Sequence, residues 1–157
     1  MLQHKPLYIL AALMLTATTT YAQQSAVGDF IVQDSHGRKL NVGKQKGKTI
    51  LINFWALSCP PCKAEMAGIN ELHKRFANDT NVLFLLVDLD RDWTNSPAFM
   101  RENGYDLNVY VTASQVPETL FHGLLPTTAI IKSGKVIFFA EEAQDFRAGR
   151  FFNLLRQ

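Results

Sequence analysis

The segment that most constrains this chain is Thr49 to Ala56 (TILINFWA), followed directly by Leu57-Ser58-Cys59-Pro60-Pro61-Cys62. The first part is apolar almost throughout and rich in β-branched and aromatic side chains, which predicts a strand covered on both faces. Val82 to Leu89 (VLFLLVDL) has the same character, and a helix is predicted between the two, from about Pro60 to Ala77. A strand, a helix and a strand in that order imply parallel pairing, because parallel strands need a long crossover connection. The strand-to-helix junction therefore carries both cysteines of the chain.

Cys59 falls at the mouth of the predicted helix, where unpaired backbone N–H groups and the helix dipole favour an anion. Such a setting lowers the pKa of a thiol and raises its thiolate fraction. Cys62 follows one turn later, close enough for a disulfide that needs little backbone movement. Pro60 and Pro61 are tolerated there because first-turn N–H groups have no helical acceptor. An exposed nucleophilic thiol backed by a resolving one is the apparatus of thiol–disulfide exchange. A zinc site needs about four ligands, and His36, His73 and His122 do not sit at close ligand spacing. A c-type haem attachment needs histidine after the second cysteine, where this chain has Lys63. A purely structural disulfide closing so short a loop stabilises little. No metal and no cofactor is expected beyond the redox-active Cys59–Cys62 pair.

Helical periodicity puts Met66, Ile69, Leu72, His73 and Phe76 on one face, with Lys63, Asn70, Glu71, Lys74 and Arg75 opposite. Cys62 and Glu65 project along the apolar stripe. A carboxylate there is expected to be partly desolvated, its pKa raised toward the range useful for proton transfer. The plainer role for Glu65 is a first-turn acid satisfying the helix dipole. Asn53, in mid-strand, must be hydrogen-bonded and cannot titrate, so proton handling for Cys62 falls to Glu65. Trp55, four residues before Cys59, is a packing residue that also has the reach to shield the thiol from water.

Elsewhere, Phe30 to Val32, a turn at Ser35-His36-Gly37 and Leu40 to Val42 predict an N-terminal β-hairpin. Ser96 as cap and Pro97 in the first turn start a second helix, which Gly104 stops. A short strand is predicted around Asn108 to Thr112. Thr128 to Ile131, the turn Ser133-Gly134 and Val136 to Ala140 make an antiparallel hairpin. Asp145 is then expected to cap a last helix carrying Phe146, Phe151, Leu154 and Leu155. The fold class is α/β, with a central mixed β-sheet flanked by helices.

Lys5, the apolar stretch Leu7 to Leu15 and the small-residue end Thr20-Tyr21-Ala22 have the layout of a secretory signal. A membrane span takes roughly 20 apolar residues, more than this stretch supplies, so no stable anchor is expected after cleavage. Residues 1–22 are thus read as a signal peptide and 23–157 as one domain, exported to the periplasm or cell envelope of a bacterium. In an oxidising compartment a close cysteine pair is expected to cycle through a disulfide. The whole chain has 157 residues, 47% apolar and 19% charged, which suits one domain with its own core and excludes a disordered chain. Sixteen basic against 14 acidic residues, net +2, make no electrostatic case for nucleic acid. That balance also implies no strong field to steer partners.

The same residues resemble the thioredoxin superfamily and, within it, the exported TlpA/ResA-like branch. The likeness runs from Val27-Gly28-Asp29-Phe30 through Gly47 to Ala56 and the CPPC motif, then to Leu125-Pro126-Thr127-Thr128-Ala129-Ile130-Ile131 and Ser133-Gly134-Lys135-Val136. It implies a thioredoxin-like fold, a cis-proline at Pro126 and substrate pairing on the backbone of Leu125. With Trp55 these form the expected substrate-binding set. The likeness also supports Glu65 as acid/base, while Asn53 departs from the buried aspartate of ordinary thioredoxins. Recognition is then expected to rest on an apolar rim and the Leu125 backbone.

The function these readings imply is an exported thiol–disulfide oxidoreductase acting on protein thiols and disulfides as a reductant, with electrons from an upstream membrane donor. Cys59 is the nucleophile, Cys62 the resolving thiol and Glu65 the acid/base. The alternatives are net oxidation of substrates, which in the family usually comes with a helical insertion, and a non-enzymatic copper-handling module on the same fold. A bare interaction domain is a third.

Overall fold

The computed structural model describes residues 27–157. The expected signal segment lies outside the described residues. The chain builds β1 (Ile31–Asp34), β2 (Lys39–Asn41), a 3-10 turn (Val42–Lys44), β3 (Thr49–Trp55), α1 (Pro60–Arg75) and β4 (Val82–Asp88). It continues with α2 (Asn95–Glu102), β5 (Val109–Thr112), β6 (Thr127–Lys132), β7 (Lys135–Ala140) and α3 (Gly149–Arg156). One sheet holds all seven strands in the order β2-β1-β5-β4-β3-β6-β7. β3 pairs parallel with β4, and β4 with β5, while β6, β7, β1 and β2 add antiparallel. This is the expected mixed α/β sheet with an N-terminal hairpin.

Alternation along the central strands divides the core. Leu51 and Trp55 of β3, Leu86 of β4 and Ile130 of β6 pack with apolar residues of α1, α2 and α3. Ile50, Ile52, Phe54, Leu85, Val87, Ala129 and Ile131 face the other way, onto Val27, Phe30, Val42 and Leu120. The three helices therefore share one face. The second is covered by the N-terminal segment and the 113–126 loop, a division that hydrophobic runs buried on both sides do not reveal.

Three local expectations change. Ser96 is not the cap of α2, since that position is Thr94. Ser96 lies inside the helix, where its hydroxyl donates to Asp88 Oδ2 at 2.8 Å with both residues fully buried. Asp145 does not cap α3, whose N-cap is Ala148. Its Oδ1 instead accepts from the Arg147 N–H, closing a turn that leaves Phe146 ahead of the helix and packed on Gly68 of α1. Asn70, expected on the solvent side of α1, is buried because its Oδ1 accepts from the backbone N–H of Asp106 at 2.8 Å. Gly104 does end α2, at φ +67° with its N–H on the Arg101 carbonyl.

Candidate active site

β3 delivers its last residue, Trp55, into the core, and the chain turns through Ala56-Leu57-Ser58 to the start of α1. The Cys59 N–H on the Ala56 carbonyl (3.1 Å) and the Leu57 N–H on Asp90 Oδ2 (3.1 Å) hold that turn. Cys59 is the N-cap of α1, with Pro60 and Pro61 in the first turn. Its Sγ accepts from the Cys62 N–H at 3.3 Å. That donor, with the positive end of the helix behind it, would also stabilise a negative sulfur after reduction. The two sulfurs are joined (S–S 2.01 Å, Cα–Cα 5.3 Å). Cys59 is half-buried, whereas Cys62 is completely buried against the helix-side core. An incoming sulfur can reach the first cysteine and not the second.

One turn along α1, Glu65 is 5% exposed. Its Oε1 accepts from Asn53 Nδ2 at 2.7 Å and its Oε2 from the Gln144 N–H at 3.0 Å. Asn53 Nδ2 also donates to Thr128 Oγ1 at 2.9 Å, across the β3–β6 register. Burial pushes the Glu65 carboxyl up to about 7, against the opposing pull of the two hydrogen bonds. The structure thus puts a carboxyl able to exchange a proton near neutral pH on the same helix stripe as Cys62. Thr128 and Gln144 were not singled out from sequence. Asn53 gave a signal, as a polar residue in an apolar strand, but the backbone N–H of Gln144 left none.

The Leu125–Pro126 peptide is cis. Phe54 is in register with Thr127, so Pro126 enters β6 at the end where β3 releases the cysteine turn. Pro126 is buried and Leu125 half-buried. Trp55 was expected in the substrate-binding set, but it is fully buried with its ring 5.9 Å from Phe99. A central strand covered by α1 and α2 leaves it no surface, so it supports the cysteine turn from below. Among the described residues the exposed large apolar side chains are Trp93 (37%) and Leu124 (58%). Trp93 follows β4 and Leu124 precedes β6, so both sit on loops at the cysteine end of the sheet. Sequence reasoning passed over both, although a lone tryptophan in the polar loop Arg91 to Asn95 was an available signal. His122, given no role from sequence, pairs with Glu141 on the surface at 3.1 Å. Among the described residues no group of three or more His, Cys, Asp or Glu side chains is placed to hold a metal ion.

Residues 23–139 match the AhpC/TSA family. The thiol-disulfide oxidoreductase ResA of Geobacillus thermodenitrificans is 32% identical over 131 residues, covering 82% of this chain and 75% of the relative. ResA of Bacillus thuringiensis is 32% identical over 111 residues, 69% of this chain and 64% of the relative. Among solved structures, a putative thiol:disulfide interchange protein DsbE from Chlorobium tepidum superposes with a TM-score of 0.69 at 18% identity, covering 85% of this chain and 94% of that one. The thioredoxin domain of a thiol-disulfide oxidoreductase from Bacteroides vulgatus does so with a TM-score of 0.69 at 19% identity, over 84% and 96%. On the family match, these relatives and the shared architecture, the chain belongs to the AhpC/TSA family and is a protein thiol–disulfide oxidoreductase with a thioredoxin-like fold.

Proposed function

We propose that the chain acts outside the cytoplasm as a reductant of protein disulfides, through Cys59, Cys62 and Glu65. The observation that carries the reading is the asymmetry of the pair, one sulfur reachable at a helix N-cap and the other buried one turn behind. In the reduced protein the Cys59 thiolate attacks a substrate disulfide, forming a mixed disulfide and releasing one substrate thiolate. Glu65 takes the proton of the Cys62 thiol. The Cys62 sulfur then attacks Cys59, closing the Cys59–Cys62 disulfide and releasing the second substrate sulfur, which takes up a proton. Two electrons pass from the pair to the substrate, and a membrane-bound thiol donor returns them by the reverse exchange. Trp93 and Leu124 form the apolar rim on which an unfolded or extended substrate segment rests, next to the Leu125 backbone. Between β4 and β6 the described domain holds one helix, the eight-residue α2, and the 113–126 loop, which favours the reductive direction over an oxidase carrying a larger helical insertion.

The test is an insulin-reduction assay with thiol trapping in the native compartment. Cys59→Ser is expected to be inactive, and Cys62→Ser to accumulate covalent complexes with substrate proteins. An active Cys59→Ser protein would sink the scheme. Trapped partners that arrive reduced and leave oxidised would reverse the direction.

A further inference from the structure

The groups that surround the buried Glu65 carboxyl differ in what they can offer it. The Gln144 N–H on Oε2 belongs to the backbone and can only donate. Asn53, on Oε1, carries a donor and an acceptor on one terminal torsion, which has two broad, nearly equivalent settings. The Thr128 hydroxyl behind it can donate or accept. Asn53 and Thr128 are in register across β3 and β6, and both are fully buried. Asn53 Nδ2 serves Glu65 Oε1 at 2.7 Å and Thr128 Oγ1 at 2.9 Å, while Asn53 Oδ1 has no partner among the described residues. This setting suits an ionised carboxyl, both of whose oxygens accept. A carboxylic acid in the same place has an O–H that needs an acceptor. On Oε2 that O–H would face the Gln144 N–H, donor against donor, and nothing can reverse a backbone amide. On Oε1 it would face Nδ2, which is also a donor, unless the amide turns over.

We propose that Asn53 is a positioning residue whose side-chain amide inverts as Glu65 gains or loses its proton, the Thr128 hydroxyl reversing its bond in step. With Glu65 ionised, Nδ2 donates to Oε1 and to Thr128. With Glu65 protonated, Oδ1 takes that place and accepts from the Oε1 proton and from the Thr128 hydroxyl. Either orientation leaves one amide atom without a partner, so the state of Glu65 decides between them: the bond to a carboxylate favours Nδ2, the bond from an acid favours Oδ1. On the reading that Glu65 serves Cys62, the proton leaves the Cys62 sulfur, which keeps the electron pair, and is held on Oε1. Inversion itself moves no proton. An aspartate at position 53 could not do this, because two carboxyls so close share one proton. The charges around Glu65 are less suited to setting its state. On α1, Lys63 is exposed and Cys62 is bound in the disulfide. On the 141–148 segment, Glu142, Asp145 and Arg147 are exposed, Glu141 pairs with His122, and Arg147 is forked onto Glu71 at 2.9 Å. Solvent screens such exposed charges. β3 and β6 contribute the neutral Asn53 and Thr128.

The test needs no substitution. In the isotope-labelled full chain, in its disulfide form, the Glu65 carboxyl carbon is titrated by NMR. Cross-relaxation from the Asn53 NH₂ protons to the Thr128 methyl and the Glu65 Cγ protons is followed over the same pH series. Cross-relaxation that is strong above the Glu65 midpoint and weak below it, with the same midpoint, is expected. An NH₂ group that stays against Thr128 and Glu65 on both sides of the midpoint overturns the proposal, as does a Glu65 carboxyl that does not titrate while the protein stays folded. Asn53→Leu supplies a kinetic check, since leucine fills the site and neither donates nor accepts. The carboxylate then loses a stronger bond than the acid does, so the neutral inflection in the rate of insulin reduction should rise by about one pH unit. An inflection left where it was in the folded variant overturns the positioning role. The acid/base reading fails separately: an inflection that survives Glu65→Gln removes Glu65 from proton transfer, whatever the Asn53 amide does.

Discussion

Glu65 occupies a place where its ionised form is costly, and that cost sets a pH dependence. Burial raises its pKa from 4.5 to about 7, so the folded state holds the proton more tightly than the unfolded state. Its contribution to stability is complete below about pH 4.5 and is lost as pH rises through about 7, beyond which both states are ionised. The span corresponds to roughly 3 kcal/mol. Urea unfolding of the disulfide form is therefore expected to show stability falling across that window, and Glu65→Gln should flatten the fall. A slope that survives the substitution would locate it elsewhere. In the reduced enzyme the same substitution should remove the inflection near neutral pH from the rate of insulin reduction. Ser96 and Asp88 make a second residue-scale case. Ser96→Ala withdraws one donor from a fully buried carboxylate that keeps the N–H groups of Asp90 and Asp92. A loss of roughly 1–3 kcal/mol is expected in denaturant midpoints at constant m.

At the scale of elements, the site depends on segments that approach one another closely. The 3-10 turn after β2 brings Gly43 against the segment that precedes β1, where an added Cβ would collide with the Gly28 carbonyl oxygen and lie 2.8 Å from that of Val27. Both obstacles are backbone, so Gly43→Ala should cost at least about 1–3 kcal/mol, read as a drop in thermal midpoint. A wild-type midpoint in that variant would mean that the hairpin packs differently. On the other side, Phe146 anchors the 141–148 segment to Gly68 and lies 4.6 Å from the Phe151 ring. That anchor holds the Gln144 N–H on Glu65. Phe146→Ala should cost roughly 3–5 kcal/mol. By letting water reach Glu65, it should also move the neutral inflection of the pH–rate profile downward. Loss of stability with the inflection unmoved would show that the segment is not what keeps Glu65 dry.

Over the whole molecule, the sheet is built outward from β3, which is buried along its entire length and paired on both sides. β2 and β7 are the edges, and β7 has no fully buried residue. Amide exchange is therefore expected to be slowest in β3, β4 and β6 and fastest in β2 and β7; equal protection in β2 and β3 would contradict this. Because the cysteine turn leaves from the end of the most protected strand and cis-Pro126 from its neighbour, the reactive sulfur stands on the rigid part of the fold. Its surroundings, the loops bearing Trp93 and Leu124, lie outside the strand ladders.

What the sequence by itself determined is whatever depends on residues close along the chain. Two apolar runs flanking a helix dictated the parallel β3–β4 pair, and CPPC at a strand-to-helix junction dictated a reachable sulfur at an N-cap. The apolar stripe of α1 was enough to bury Glu65. Only the tertiary structure decided matters between distant segments. It brought Asn53 and the Gln144 N–H onto the two oxygens of Glu65, from 12 and 79 residues away. It put all three helices on one face, buried Trp55, exposed Trp93, and drew Ser96 inward to Asp88. A run buried on both sides does not say what covers each side, and a sum of charges does not say where they lie. Both are properties of packing, and packing is fixed only when the strands take their order.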